Sequence, residues 1–227
     1  MMKFFSVLFD LDGTLLDTIP DLALACNAMR ADLGLSALPQ EHVTTLVGKG
    51  TENLVRRALS DTSKTAADIA QALDLFHHHY SLCNGQHSRL YPGVLEGLQD
   101  FQQQGLRLAV VTNKPERFAR PLLEHTGLDA YFELLVGGDT CARKKPDPLP
   151  FLHACEQLGT DPSQTLVVGD SLNDAQAARA ARIPVLLVPY GYNEGQDVQS
   201  LESDGIVDSI ACAARWVRQA NNNTATT

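Results

Sequence analysis

The regular alternation of apolar runs and helix-like segments in the second half of the chain constrains the fold most. The apolar runs cover residues 106–112, 132–136, 165–168 and 185–188, and the helix-like segments cover 94–104, 115–126, 148–158 and 175–181. Repeated strand–helix units of this kind build a mostly parallel sheet with helices on both faces. We therefore expect an α/β fold with a doubly wound parallel sheet.

One further strand is expected near the start of the chain, where an apolar run at 4–8 precedes Phe9-Asp10-Leu11-Asp12-Gly13-Thr14. In α/β sheets, ligands bind at the carboxyl ends of the strands. Two carboxylates at such an end are costly unless something positive holds them, so they indicate an acidic, metal-binding site. The alternative is an ordinary polar turn, because Asp and Gly are common turn residues.

Residues 16–89 behave differently from the rest of the chain. Helical patterns at 21–33, 51–59 and 65–83 fill this stretch without a convincing strand. We interpret 16–89 as a small all-helical cap inserted after the first strand. Residues 1–15 and 90–220 would form the α/β core, and the polar residues 221–227 a disordered tail. Such an insertion leaves from the carboxyl edge of the sheet, where it can act as a lid.

Composition and net charge limit the classes of partner that we expect this chain to bind. The formal net charge of −9 would repel a polyanion, which argues against nucleic acid as a bulk partner. Apolar runs stay well short of the roughly 20 residues that span a bilayer, and Asp10 and Asp12 interrupt the start too early for a signal peptide. The five scattered cysteines form no C-x-x-C pair and suggest reduced thiols. We expect a cytoplasmic protein, monomer or homodimer, without a membrane partner.

Three more strand ends carry polar residues. These are Thr112-Asn113-Lys114, Lys145-Pro146 and the segment Gly169-Asp170-Ser171-Leu172-Asn173-Asp174. Taken singly, each could be a helix cap or a solvated charge. Together, four strand ends place carboxylates, a hydroxyl and an ammonium at one edge of one sheet, which capping does not explain.

The residue types at this edge favour phosphoryl transfer. Asp10, Asp12 and Asp170 supply the hard oxygen ligands that Mg²⁺ prefers. Lys145 and Thr112 can bind phosphate oxygens. One carboxylate can attack phosphorus, and a second can give a proton to the leaving oxygen and take one from water.

These four motifs, in this order, resemble those of the haloacid dehalogenase-like hydrolase superfamily. The resemblance implies that Asp10 is the nucleophile and a Mg²⁺ ligand. Asp12 would be the general acid/base and would bind the metal through its backbone carbonyl. Thr112 and Lys145 would hold the phosphate, and Asp170 would complete the metal site. An Asp at position 12 resembles the phosphatases and phosphomutases within that superfamily rather than the dehalogenases.

The resemblance also suggests supporting residues around this centre. Ser171, Asn173 and Asp174 would support the metal site through hydrogen bonds or metal-bound water. Thr14 and Asn113 would contact the substrate.

The cap contains one candidate specificity element, the stretch Gly48-Lys49-Gly50 ahead of a helix beginning at Thr51. Two glycines let the backbone approach an anion closely, and the helix N-terminus adds positive potential. An ordinary loop with a solvated Lys49 is the alternative. The stretch resembles the cap loop of bacterial phosphoglycolate phosphatases, as does Pro189-Tyr190-Gly191-Tyr192. That resemblance implies 2-phosphoglycolate as substrate, with Lys49 clamping its carboxylate.

Other functions stay open at this point. A phosphatase for another small phosphometabolite, such as a sugar or amino-sugar phosphate, would use the same residues, as would a sugar phosphomutase. A receiver-like signalling module also phosphorylates an Asp at a strand end. Receiver domains, however, lack a helical insertion after the first strand and the D-x-D-G-T sequence.

Overall fold

The computed structural model describes residues 3–62, 65–193 and 195–224. Its main sheet has six strands in the order β5-β4-β1-β6-β7-β8, and every neighbouring pair is parallel. The strands of this sheet are β1 (Ser6–Phe9), β4 (Arg107–Val111), β5 (Leu134–Val136), β6 (Thr165–Gly169), β7 (Val185–Leu187) and β8 (Gly205–Ile206). Two short strands, β2 (Leu16–Asp17) and β3 (Arg89–Leu90), pair antiparallel outside it.

Nine α-helices lie within the described residues. They are α1 (Ile19–Asp32), α2 (Gln40–Thr44), α3 (Thr51–Ala58), α4 (Ala66–Cys83), α5 (Val94–Gln103), α6 (Glu116–Thr126), α7 (Leu149–Leu158), α8 (Leu172–Ala181) and α9 (Ile210–Thr224). None of these described helices is long and apolar enough to cross a bilayer.

Helices cover both faces of the six-stranded sheet. Buried residues of α5, α6 and α9 share one apolar cluster with one face of the strands. Buried residues of α7 and α8 share a second cluster with the other face. Each strand contributes alternate side chains to the two clusters, as the pleat requires. The doubly wound α/β class expected from the alternating pattern is confirmed.

The central position of β1 brings three strand ends together. β1 pairs with β4 on one side and with β6 on the other, so Phe9 lies opposite both Val110 and Val168. The chain leaves β1 for the helical segment and returns to β4. Strand order reverses at β1, and such a switch point is where α/β sheets bind ligands.

The helices between β2 and β3 have a core of their own. Buried side chains of α1, α3 and α4, together with Val43 of α2, form a separate apolar cluster, which also takes in Phe118 and Tyr192. This cluster supports treating 16–89 as a distinct unit, although the division of the chain into core and cap stays a prediction. The short helix α2 and strands β2, β3 and β8 were not expected, because elements of two to five residues carry too few positions for a periodic pattern.

The tail expected to be disordered from 221 is helical as far as Thr224, so that prediction is wrong for its first four residues. The Asn221 side chain accepts a hydrogen bond from Phe4 N at 2.7 Å and donates one to Phe4 O at 3.2 Å. These bonds tie the last helix to the start of β1, a long-range contact that local polarity does not reveal. Residues 225–227 lie outside the described residues.

Candidate active site

Asp10, Thr112 and Asp170 each follow the last residue of a neighbouring strand. Asp10 N donates to Val168 O at 3.0 Å, which extends the β1–β6 pairing by one residue. Thr112 N donates to Val136 O at 2.9 Å and continues the pairing of β4 with β5. The sheet ladder itself therefore brings these side chains to one edge.

Lys145 is buried at this edge, with its side chain 2% exposed. Its Nζ donates to Val111 O at 2.8 Å and to Asp174 Oδ1 at 2.7 Å, and it lies 2.9 Å from Asp10 Oδ1. Burial alone would lower the pKa of Lys145, but Asp10 and Asp174 raise it above its usual value. The ammonium therefore stays charged between two carboxylates.

Asp174 is the fully buried partner of this lysine. Its Oδ2 accepts hydrogen bonds from Ser171 Oγ at 2.8 Å, from Ser171 N at 3.2 Å and from Asp170 N at 3.3 Å. Ser171 and Asp174 also form the capping box that begins α8. Ser171 and Asp174 thus begin a helix, and Asp174 also binds Lys145. Capping and a role in the site are therefore both present.

Three carboxylates form a compact acidic cluster. One oxygen each of Asp10, Asp170 and Asp174 lies within 4.8 Å of the others. Burial raises the pKa of Asp10 to about 6, although Lys145 opposes the shift, and burial together with Asp174 and Asp10 raises the pKa of Asp170 as well. So much buried negative charge requires a positive partner.

A divalent cation fits this cluster. The ammonium of Lys145 pairs with Asp10 and Asp174 and supplies one positive charge against the three buried carboxylates. A bound cation would offset the remaining negative charge. Carboxylate oxygens are the ligands of hard cations such as Mg²⁺.

Asp170 is held in place from several directions. Thr14 Oγ1 donates to Asp170 Oδ1 at 2.9 Å, and Tyr192 N donates to Oδ2. A Cβ at Gly13 would lie 2.5 Å from Oδ2 and one at Gly191 2.3 Å from it, so both positions need glycine. Thr14 is fully buried and its hydroxyl is bonded to Asp170, and its expected contact with the substrate stays a prediction.

Asp12 points away from the acidic cluster. Its Oδ1 accepts a hydrogen bond from Thr18 Oγ1 at 2.7 Å and another from Lys114 Nζ at 2.8 Å. Asp10 and Asp12 are thus paired with different lysines, Lys145 and Lys114. The two carboxylates have separate surroundings and are suited to separate tasks.

A pocket with a cavity volume of about 50 Å³ lies between these carboxylates and the helices of residues 16–89. Asp10, Asp12 and Thr112 line it from the sheet edge, and Gly48 and Gly50 line it from the opposite side. Its other lining residues are Leu22, Val47, Thr51, Leu54, Phe76, Tyr80, Asn113 and Lys114. Lys49, expected to clamp the substrate, is exposed and does not belong to the described lining of this pocket.

Two asparagines fasten the loop that carries Gly48. Asn113 Nδ2 donates to Gly48 O at 3.0 Å and to Lys145 O at 2.9 Å, and Asn173 Nδ2 lies 3.4 Å from the same Gly48 oxygen. The amide nitrogen of Asn113 is committed to these carbonyls. Asn113 therefore helps to hold the loop over the site. Its Oδ1 accepts no hydrogen bond from a described residue and the residue lines the pocket, so substrate contact by Asn113 stays a prediction.

Sequence reasoning assigned no role to Lys114, Tyr80 or Tyr192. Lys114 lay in a motif already singled out, since it follows Thr112 by two residues. The sequence does not indicate a role for Tyr80 in the site, because the pattern around it predicts only the apolar face of a helix. Tyr192 lay in a stretch noted for family resemblance, but its backbone bond to Asp170 depends on how a distant loop folds.

Comparisons with known proteins agree with this geometry. The sequence profile of the haloacid dehalogenase-like hydrolases matches residues 7–188. A phosphoglycolate phosphatase of Thiobacillus denitrificans is 50% identical over 95% of this chain and 96% of its own length. One from Nitrosospira multiformis is 48% identical over 95% of this chain and 96% of its own length.

A solved structure extends the agreement to three dimensions. The crystal structure of a predicted phosphoglycolate phosphatase from Haemophilus somnus superimposes with a TM-score of 0.90. It is 36% identical and covers 95% of this chain and 99% of that one. Together with the profile match and the strand-end site, these likenesses mean that the chain belongs to the haloacid dehalogenase-like hydrolase family.

Proposed function

We propose that this chain is a Mg²⁺-dependent phosphomonoesterase that hydrolyses 2-phosphoglycolate to glycolate and phosphate. The observation that carries the proposal is that Asp10 and Asp12 line the same pocket but pair with different lysines, Asp10 with Lys145 and Asp12 with Lys114. The relatives named phosphoglycolate phosphatase support the choice of substrate.

Asp10 is the proposed nucleophile. Its carboxylate lies at the floor of the pocket, and an oxygen of it would attack phosphorus as the bond from phosphorus to the ester oxygen breaks. The product is an aspartyl-phosphate, which water then hydrolyses at phosphorus. Thr112, which also lines the pocket, is placed to hold a phosphate oxygen.

Asp12 is the proposed general acid/base. It would give a proton to the oxygen of the departing glycolate and later accept one from the attacking water. Its bonds to Thr18 and Lys114 keep the carboxylate at the pocket wall, beside Asp10 and outside the acidic cluster.

Asp10 and Asp170 are the proposed Mg²⁺ ligands, together with the backbone carbonyl of Asp12 that the family resemblance implies. When bound, the ion supplies positive charge that offsets the repulsion between Asp10 and an anionic phosphate. Asp174 and Ser171 hold the surroundings of the site, because Asp174 already accepts bonds from both Lys145 and Ser171.

The segment 16–89 is the proposed lid. It closes the pocket with apolar side chains, which limits the access of water to the reacting groups. Gly48 and Gly50 bring its loop against the sheet edge, where Asn113 holds it. A cytoplasmic location and a monomeric or homodimeric state stay predictions.

The test is phosphate release from a panel of small phosphate esters with Mg²⁺, using the wild type, Asp10→Asn and the exposed control Asp129→Asn. We expect a preference for 2-phosphoglycolate in the wild type and the control, with activity abolished in Asp10→Asn. Activity spread evenly over other esters would reject the substrate and favour another phosphometabolite. Isomerisation without free phosphate would favour a phosphomutase, and one stable phosphate per chain a receiver-like module.

A further inference from the structure

Lys114 is the one cationic side chain among the described residues that line the pocket. It is buried, and its Nζ lies 4.8 Å from the centre of the Tyr80 ring. Leu22, Leu54 and Phe76 line the pocket as apolar walls. An anionic group that enters this space needs a positive partner, because buried charge is costly without one.

The chemistry of the substrate decides where its second anionic group lies. In 2-phosphoglycolate, one methylene separates the ester oxygen from the carboxylate. Asp12 must reach that ester oxygen to protonate it. The carboxylate must therefore come close to Asp12, and the cation nearest to Asp12 is Lys114, at 2.8 Å.

We propose that Lys114 binds the carboxylate of the substrate and thereby determines specificity. This inference rests on the proposed function. As Nζ turns toward the incoming carboxylate, it loosens its bond to Asp12 Oδ1, and Thr18 remains as the partner of Asp12. An ester with a carboxylate in this place frees the general acid, whereas an ester without one leaves Asp12 paired with Lys114.

Lys49 and Lys144 are less well placed for this role. Lys49 is exposed and does not reach the described lining of the pocket. Lys144 is exposed, and its side chain lies beside Gly50 but does not belong to the described lining of the pocket. Both lysines are near the cap loop. Lys144→Gln is therefore a matched control, because it removes one positive charge near the pocket at a residue that does not line the pocket.

The test compares kcat/KM for 2-phosphoglycolate with kcat/KM for 2-hydroxyethyl phosphate, in which a neutral hydroxymethyl group replaces the carboxylate. Lys114→Gln keeps a hydrogen-bond donor for Asp12 but removes the charge. We expect this variant to lose about 100-fold of the wild-type preference, largely through a higher KM for 2-phosphoglycolate. Because Lys114 also holds Asp12, the variant lowers the absolute rate on both esters, so the readout is the ratio of the two kcat/KM values. Lys144→Gln should keep the wild-type ratio.

Two results would overturn the inference: Lys114→Gln keeping the wild-type preference, or both esters losing activity equally. A loss of the same size in Lys144→Gln would also overturn it, since net charge rather than contact would then select the substrate. Should Lys114→Gln unfold, Lys114→Arg must keep most of the preference, because it retains the charge. A wild type that does not prefer 2-phosphoglycolate would instead reject the proposed function.

Discussion

Asp174 accepts a hydrogen bond from Lys145 at 2.7 Å, while the same ammonium lies 2.9 Å from Asp10. Both members of this pair are buried, and the lysine is the common partner of two carboxylates. The surroundings of Asp10, the proposed nucleophile, thus include an acid that itself lies at the start of a helix. Stability and reactivity are coupled through one ammonium group.

Replacement of Asp174 by Asn should lower both stability and activity. Asparagine cannot accept all the bonds that Asp174 accepts from Lys145, Ser171 and Asp170 N, so buried donors lose partners and the free energy of unfolding should fall by about 1–3 kcal/mol, measured by urea denaturation. Phosphate release should fall because Lys145, which lies beside Asp10, loses one of the bonds that hold it in place. The exposed Asp129→Asn should match the wild type in both measurements, and an Asp174→Asn protein of unchanged activity would contradict the assigned role.

The stability of the metal-free protein should fall as pH rises. The pKa of Asp10 is about 6 in the folded chain, against an ordinary value of 3.8 for an aspartate exposed to water in the unfolded chain. The folded state therefore holds the proton more tightly. This stabilisation is complete below about pH 4 and is lost as pH rises through about 6. The loss amounts to at most about 3 kcal/mol by neutral pH.

Asp10→Asn cannot ionise and escapes this loss. In EDTA, its Tm should exceed that of the wild type by about 5 °C near pH 8 and by little near pH 4, measured by thermal denaturation across the pH range. A difference in Tm that stays constant with pH would mean that Asp10 does not carry the shift.

Gly191→Ala should weaken metal binding without unfolding the protein. A Cβ at this position would lie 2.3 Å from Asp170 Oδ2 and would push the carboxylate aside. The Mg²⁺ concentration for half-maximal phosphate release should rise about 10-fold or more. Gly205→Ala is the matched control, because its Cβ would meet only a methyl group of Leu186 at 3.2 Å. Equal Mg²⁺ dependence in the two variants would rule out the steric argument.

Asp21 should be the main polar anchor of the segment 16–89. From α1, it accepts hydrogen bonds from Gly85 N at 3.0 Å, His87 N at 2.9 Å, Ser88 N at 2.9 Å and Ser88 Oγ at 2.6 Å. Asp21→Ala would leave these buried donors unsatisfied and should lower the free energy of unfolding by about 3 kcal/mol, measured by urea denaturation.

The control for Asp21 is another acid of the same helix. Asp32 is 46% exposed and pairs with His79 at 2.7 Å near the surface. Asp32→Ala should cost less than about 1 kcal/mol, because exposed ion pairs contribute little. Similar losses in the two variants would argue against a special role for Asp21.

The main chemistry of the site could be predicted because it follows strand ends. Asp10, Thr112 and Asp170 each stand one residue beyond a strand, and parallel strands end at one edge. Those side chains therefore lie at the same edge of the sheet, independently of the loop conformations. The bonds of the Thr14 hydroxyl to Asp170 and of the Asn113 amide nitrogen to Gly48 could not be predicted in this way, because their partners lie far away in sequence.

The amino-acid sequence by itself determined the α/β class, the acidic residues at the strand ends and the helical stretch that follows the first strand, because these depend on periodicity and on local order. Only the tertiary structure decided which lysine forms an ion pair with which carboxylate. Lys145 pairs with Asp10 and Asp174, and Lys114 reaches Asp12 across 102 positions of sequence. Such pairing depends on distances between side chains of separate elements, and these distances exist only once the chain has packed.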